Sequence, residues 1–354
     1  MSARARPTLA QVAARAGVSL KTASRVINGE YGVASATAER VQEAARDLGF
    51  RPNYLARALA SRQTSGAVGF VIPDLSDPFI AALAAEVEAN MTARGFQLMS
   101  ASHGDDPVRQ RRLSRTLVER RVDALIVVSA PGDASYLQPE IDHGLVVVAV
   151  DRPLEGVGVD TVTVDNEAAA RIAVAELVQA GHRRIAAIGL HAELWTRRER
   201  FRGYQNALDA AGTPVDALLV RLDCRDSAEA QAAFAAMLGQ PDPPTAVFAT
   251  KNEAGRAAIR AMLDAGVVLD LTVFDEVADP DLLVIPPSTV VESDPARLGG
   301  AAATMALERL DGLLGPPRSV VMPPLFEHPR STGLGPVARA TRRRSSKPPT
   351  RRPA

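Results

Sequence analysis

The stretch TLAQVAARAGVSLKTASRVINGE, Thr8 to Glu30, divides into two short helices around a turn. Thr8 is placed to cap the first helix, with Gln11 three residues on as its capping-box partner. Leu9, Val12, Ala13 and Ala16 fall at helical spacing, and Gly17 suits the end of that helix. Ser19 then caps a second helix whose inward face carries Thr22, Ala23, Val26 and Ile27, and Asn28-Gly29 closes it. Helix, short glycine turn, helix is the helix-turn-helix unit, which also occurs in proteins that never meet nucleic acid. What distinguishes this one is Leu20, Lys21 and Arg25 near the start of the second helix, where a recognition helix offers side chains to base edges. Lys and Arg match the guanine O6 and N7 acceptors. A third helix is expected over roughly Ala36 to Leu48, with Val41, Ala44, Ala45 and Leu48 turned inward.

The charge distribution agrees. The 354-residue chain has no net charge. Residues 1–62 nevertheless carry +6, residues 339–354 carry seven basic residues and no acid, and the remainder carries −13. A basic head on an acidic body points to a polyanion bound at one end. A solvated surface would explain the body but not the head. Cys224 is the only cysteine, which leaves no intrachain disulfide and no cysteine-based zinc site. No run is long and apolar enough to span a bilayer, and the N-terminus has no apolar stretch behind its charges. A cytoplasmic protein without a cofactor is expected.

After the head comes FRPNYLARALASRQTSG, Phe50 to Gly66. Pro52 suits a helix start. NYLARALAS is too short to hold a helix alone in water, so something else must order it. Together, TLAQVAARAGVSLKTASRVING and VASATAERVQEAARDLGFRPNYLARAL resemble the LacI/GalR family of bacterial transcription regulators. The match is carried by Thr8, Val12, Ala13, Gly17, Val18, Ser19, Thr22, Ser24, Arg25, Asn28, Val33, Leu48, Gly49, Phe50, Pro52, Asn53, Ala56 and Leu59. Ala34 departs from the family's capping Ser, and Ser35 is expected to take the cap one residue later. The resemblance implies a hinge helix that orders when two copies meet on a pseudo-palindromic operator, with Leu59 wedged into the minor groove. It assigns DNA contact to Thr8, Ser19, Leu20, Lys21, Thr22, Ser24, Arg25, Asn28, Asn53, Ala56, Arg57 and Leu59.

From Gly66 apolar strands alternate with helices. Strands are expected in AVGFVIP, FQLMSAS, ALIVVSA, LVVVAVD, TVTVD, RIAAIGL, LLVRLD, AVFAT and LTVFDE. Helices fall between them, among them 79–94, 108–119, 166–180 and 253–265. Strands buried on both faces with helical crossovers imply parallel doubly wound sheets, with ligands at the strands' carboxyl ends. The resemblance continues through VIPDLSDPF, RRVDALIVV, VAVDRP, VTVDNEAAA, GHRRIAAIG, RERFRGYQNAL, PTAVFAT, VFDE and RSTG, from about Thr8 to Gly333. The expected fold class is therefore α/β: an all-α helix-turn-helix head and hinge helix, then a two-subdomain periplasmic-binding-protein-like body. The expected bounds are 1–50 for the head, 51–65 for the hinge and linker, 66–338 for the effector-binding and dimerisation domain, and 339–354 for a disordered basic tail.

The resemblance places a small-molecule effector in the cleft between the subdomains. Arg200 matches an arginine that grips effector oxygens, and Asp275 an acid that accepts from ligand hydroxyls. Phe79, Ser129, Asp151, Arg152, Trp195, Thr196 and Asn252 complete the set. Lys251 stands where many members have Asn followed by Asp. Arg225, or Cys224 if the register slips, stands where many have a stacking aromatic. The connection from Gly266 to Asp275 is about four residues short of the family spacing. If Arg152, Arg198, Arg200, Arg225 and Lys251 converge on one cleft, an anionic sugar acid or sugar phosphate is favoured slightly over a neutral sugar. A protein co-effector is a further alternative.

The family's tetramers use a C-terminal leucine heptad that this chain lacks, so a homodimer is expected. The tail either adds salt-sensitive DNA affinity or is inert. Two other functions fare worse. A Rossmann-type enzyme needs a glycine-rich loop after an early strand, and VIPDLSDP has none. Ser129 lacks a hydrolase nucleophile's Gly-x-Ser-x-Gly setting, and His182 is most simply a helix C-terminal residue favoured by the dipole. A solute-capture protein would have no use for the head.

Overall fold

The computed structural model describes residues 7–27, 32–50, 65–275 and 287–328, without the Glu292 side chain. Two compact units divide between Ser65 and Gly66.

The first unit holds three helices, α1 (Leu9–Ala16), α2 (Leu20–Ile27) and α3 (Ser35–Leu48). Thr8 Oγ1 accepts from the Gln11 amide at 3.3 Å, and the Gln11 side chain accepts from the Thr8 amide at 2.8 Å, completing the capping box. Gly17 leaves α1 at φ 65, a left-handed turn that glycine adopts without strain. Ser19 Oγ accepts from the Thr22 amide at the start of α2. Val12, Ala13, Ala16, Ala23, Val41, Ala44 and Ala45 form the core, with Val26, Ile27 and Leu48 half-buried around it. One expectation fails. Ala34 itself occupies the cap of α3 with no side-chain bond, and Ser35 is already the first helical residue.

The second unit contains two six-stranded sheets. The first runs β11-β5-β4-β3-β1-β2, with β1 (Ala67–Ile72), β2 (Gln97–Ser102), β3 (Ala124–Val127), β4 (Val146–Val150), β5 (Asp160–Val164) and β11 (Ser319–Met322), all parallel. The second runs β12-β10-β9-β8-β6-β7, with β6 (Ile185–Leu190), β7 (Val220–Cys224), β8 (Ala246–Ala249), β9 (Asp270–Phe274), β10 (Thr289–Glu292) and β12 (Leu325–Glu327). The same order thus occurs twice, each sheet completed by a strand from the chain's last crossing. The departure from an all-parallel body is β12, antiparallel to β10 at the edge. The α/β class and doubly wound architecture expected from the sequence are both present.

Helices cover both faces of each sheet. On the first, α4 (Pro78–Ala93) and a late helix, Pro295–Leu310, pack on Val68, Phe70 and Ile72. Helix α5 (Pro107–Glu119) lies over the opposite face, where Val71, Leu125 and Val127 point. That alternation is the strand period of two. The short α6 (Gln138–Asp142) precedes β4. On the second sheet, α7 (Asn166–Gln179) and α8 (Trp195–Ala210) cover one face, and α9 (Ser227–Leu238) and α10 (Asn252–Ala265) the other. The late helix is α11, so the chain crosses between subdomains three times, after β5, β10 and β11.

Two buried polar clusters tie late segments to early ones. His182 follows the end of α7, where its amide donates to the Leu177 carbonyl, but its side chain is held by tertiary contacts. Its ring lies between Thr245 Oγ1 at 2.9 Å and Asp270 Oδ2 at 3.0 Å, with Ser288 on the other Asp270 oxygen. Asp160 receives Arg309 at 2.8 Å and Arg318 at 2.6 Å, pinning α11 and the approach to β11 onto β5. Burial pushes the Asp160 carboxyl up, but the two guanidinium partners outweigh it and bring it down to about 2. A depressed carboxylate stabilises the fold above its unfolded value near 3.8 and loses that contribution as pH falls through about 2. Asp160→Asn is expected to remove about 2 kcal/mol at pH 6 in urea titrations, with the gap to wild type narrowing toward pH 2. A gap that stays constant with pH would mean the charge on Asp160 contributes nothing.

Candidate functional site

In the head, Lys21 and Leu20 are exposed on the first turn of α2, Leu20 by 54%. Arg25 is half-buried, with its guanidinium against Gly32. Thr22 is held by Ser19, their hydroxyls 2.8 Å apart, and Thr8 is occupied in the cap of α1. The head therefore presents Leu20 and Lys21 outward, while Thr8, Ser19 and Thr22 shape the helix starts behind them. Asn28, Asn53, Ala56, Arg57 and Leu59 lie outside the described residues, as does the basic tail.

In the body, the carboxyl ends of strands from both sheets converge on a cavity of about 580 Å³. The first subdomain contributes Asp77 and Phe79 after β1, Asp105 after β2, and Asp151 and Arg152 after β4. The second contributes His191 after β6, Thr196, Arg197 and Arg200 on α8, Lys251 and Asn252 after β8, and Asp275 after β9. Four non-glycine residues lining it have positive φ: Asp105 at 58, Asp151 at 65, His191 at 54 and Asp275 at 61. Asp and His tolerate this region better than most side chains, and such backbone strain concentrates where a site dictates direction.

Arg200 is the buried centre of the second subdomain's wall, 3% exposed. Its Nε donates to Asn166 Oδ1 at 2.7 Å and its Nη1 to the Thr250 carbonyl at 2.7 Å. Asp275 Oδ2 is 3.8 Å away, and the guanidinium lies over the Phe274 ring, 3.8 Å from its centroid. Glu199, the neighbouring acid on α8, pairs with Arg202. Burial lowers the Arg200 pKa, with Asp275 and Asp151 opposing. The short connection does not displace Asp275: Gly266 ends α10 in a left-handed turn and β9 begins four residues later.

Across the cleft, Arg152 hydrogen-bonds Asp105 and the Ser129 carbonyl and lies 3.4 Å from Asp151. Burial raises the Asp105 carboxyl, but Arg152 overrides it, and the group ends below the ordinary range. Asp151 ends above that range because burial outweighs Arg152 and Arg200. Lys251 Nζ reaches Asp77 Oδ2 at 2.8 Å.

The sequence did not single out Arg197. It is 5% exposed, its Nε has no partner, and it makes no ion pair among the described residues. Burial, then Arg200 and Arg152, lower its pKa to about 9. The available signal was helical spacing, since Arg197 lies three residues before Arg200.

Two expected cations lie elsewhere. The Arg225 side chain is 86% exposed and bonds Glu229 at 3.0 Å, because β7 is an edge strand and its end lies away from the cavity. Cys224 is in the core. Arg198 pairs with Glu155 at 3.0 Å beside a second pocket of about 250 Å³. Ser129 and Trp195 line that pocket rather than the main cavity, and Arg152 lines both. Among the described residues, no cluster of acids, His or Cys is arranged to hold a metal, and no helix is long and apolar enough to cross a membrane.

A basic helix-turn-helix head and a two-sheet body with its cavity at the strand ends define a ligand-binding DNA regulator. Residues 8–53 match the model for bacterial regulatory proteins of the lacI family, and residues 65–329 that for periplasmic binding proteins and the sugar binding domain of the LacI family. The chain belongs to the LacI family and is a DNA-binding transcriptional regulator. It is 34% identical over 336 residues to the HTH-type transcriptional regulator CelR of Thermobifida fusca, covering 91% of this chain and 97% of that one. A solved CelR–cellobiose complex is 32% identical over 91% of this chain and 98% of its own, with a TM-score of 0.67. A Cra regulator from Pseudomonas putida in complex with fructose 1-phosphate is 26% identical over 75% of this chain and 99% of its own, with a TM-score of 0.68.

Gly203 sets the depth of Arg200. A Cβ there would meet the Glu167 carbonyl at 2.2 Å and Ala170 Cβ at 2.8 Å, so α8 touches α7 through bare backbone. Gly203→Ala is expected to push the helices apart, cost roughly 1–3 kcal/mol in chemical denaturation, and loosen the Arg200–Asn166 bond. Full retention of stability would show that the helix pair has slack.

Proposed function

We propose that the chain is a repressor that binds operator DNA as a homodimer in the cytoplasm, under control of a sugar-class effector carrying one anionic group. In this reading α2 enters the major groove, with Lys21 at base edges and Arg25 beside it, and the 51–65 segment forms the hinge whose Leu59 enters the minor groove. Effector and operator then affect each other's binding by the same factor.

Arg197 carries the ligand class. Three other cations of the cleft are already matched by protein carboxylates, the buried Arg152 by Asp105 and Asp151, the buried Arg200 by Asp275 and the half-buried Lys251 by Asp77, while Arg256 is only half-buried on the cavity wall. The argument that several cations converge without counter-charge therefore does not apply to them. It applies to Arg197, buried and without an ion pair among the described residues. A ligand carboxylate or phosphate would supply the missing charge, and the carboxylates and N–H groups around it suit sugar hydroxyls. The fructose 1-phosphate in the Cra complex supports a phosphorylated sugar on this scaffold. A neutral sugar is the second reading, favoured by the neutralisation of the remaining cations and by the cellobiose of the CelR complex.

Calorimetry with sugar acids, sugar phosphates and neutral mono- and disaccharides separates the two. An anion is expected to bind, and Arg197→Gln to weaken it about 10- to 100-fold through loss of a charged hydrogen bond. Binding of a neutral sugar alone, unaffected by Arg197→Gln, establishes the second reading instead.

The DNA side has its own test. Lys21→Ala should cost about 1–3 kcal/mol on operator and relax base preference at one position, read by competition binding against scrambled DNA. Equal loss on both DNAs would reduce Lys21 to a phosphate contact.

A further inference from the structure

Lys251 occupies the cap position of α10 with extended backbone and makes no capping bond. A lysine is doubly unsuited there. It offers no acceptor to the free amides of the first turn, and its charge opposes the helix dipole. Its ammonium instead crosses the cleft to Asp77 Oδ2 at 2.8 Å, with the two side chains 25% and 16% exposed. Asp77 is the cap of α4 in the other subdomain, and its second oxygen accepts from the Phe79 amide at 3.0 Å. One carboxylate thus completes one helix start and holds the cation of another across the opening. Glu253 and Asp74 line the same edge, and the Asp74 carboxyl is kept low mainly by Ser76, with a smaller contribution from Lys251. Arg198 and Glu155 cross between the same subdomains beside the second pocket. Both are about half exposed, where solvent screening leaves an ion pair little strength.

We propose that the Lys251–Asp77 pair is a latch that holds the two subdomains together across the mouth of the cleft, so that the cleft opens only when the pair breaks. The proposal rests on the cavity being the effector site, but the latch does not depend on which sugar enters. A broken local rule at α10 is offset only in the closed arrangement, since opening leaves Lys251 facing a helix start of its own sign. The pair also withholds both groups from the ligand, whose charged group is left to Arg197 farther in.

The test needs no ligand. Trp195 is the only tryptophan, half-buried between the subdomains where the second pocket lies. Acrylamide quenching of its fluorescence reports opening in the intact protein. Lys251→Met and Asp77→Asn are the variants, the second chosen because asparagine still caps α4. Each is expected to raise the quenching constant roughly twofold by shifting the population toward the open form. The double variant should rise no further than either single, and Lys251→Arg should restore wild-type quenching. High salt should open the wild type and leave the variants unchanged. Quenching that is unaltered in both single variants, or that rises additively in the double, overturns the latch. Because no effector is added, that result leaves the cleft assignment intact, whereas a failed ligand titration leaves the latch intact.

Discussion

The body is organised around the burial of one guanidinium. Arg200 is removed from water, so its N–H groups must find acceptors inside the protein. Two acceptors and a counter-charge come from three separate segments. Asn166 begins α7 just after the first crossing, Thr250 follows β8, and Asp275 follows β9. The Phe274 ring closes the remaining face. Satisfying one side chain thus fixes the ends of two strands and one crossing between subdomains. Gly203 is the covalent counterpart, because α8 can carry Arg200 to that depth only where the helix touches α7 without a side chain.

The same site collects departures from local preference. Asp105, Asp151, His191 and Asp275 hold left-handed backbone at the ends of four strands, and Lys251 stands where a helix start asks for an acceptor. All five residues line the cavity. Local consistency is high in the sheets and the head, and it fails where ligand chemistry or closure sets the geometry.

That division explains what the sequence could reveal. Capping signals at Thr8 and Gln11, the apolar period of α1 to α3, and the alternation of apolar strands with helices are local patterns, and the structure reproduces them closely. Nine strands were legible as apolar runs. The other three, β10 to β12, are short, and two of them lie at sheet edges where burial, and hence pattern, is weak. Ser35 was misread because sequence shows which residue types suit a cap but not where the first helical φ begins. In the cleft, motif order reached Arg200, Asp275, Arg152 and Asn252, three of them just after strands and Arg200 within α8. It failed for Arg225 because a residue after an edge strand need not face the site. It passed over Arg197 and Asp77 because their roles are tertiary: one is buried with an unpartnered Nε, the other has a partner 174 positions away in the chain.

The cleft's charge therefore cannot be read as a sum of cations. Lys251, Arg152 and Arg200 each have a carboxylate, but those pairs differ in what they join. Arg152 with Asp105 and Asp151 is internal to the first subdomain, and Arg200 with Asp275 is internal to the second. Both survive any motion about the three crossings. Lys251 with Asp77 joins the two and must separate when the subdomains do. Breaking a half-buried pair leaves two desolvated charges until water reaches them, which makes this contact more sensitive to opening than the exposed Arg198–Glu155 pair. Arg197 belongs to neither group. It is buried and has no ion pair among the described residues, so a bound anion would relieve it without displacing a carboxylate of those residues. A ligand anion paired with Arg197 would leave the Lys251–Asp77 contact untouched, because burial and pairing separate the two cations in space.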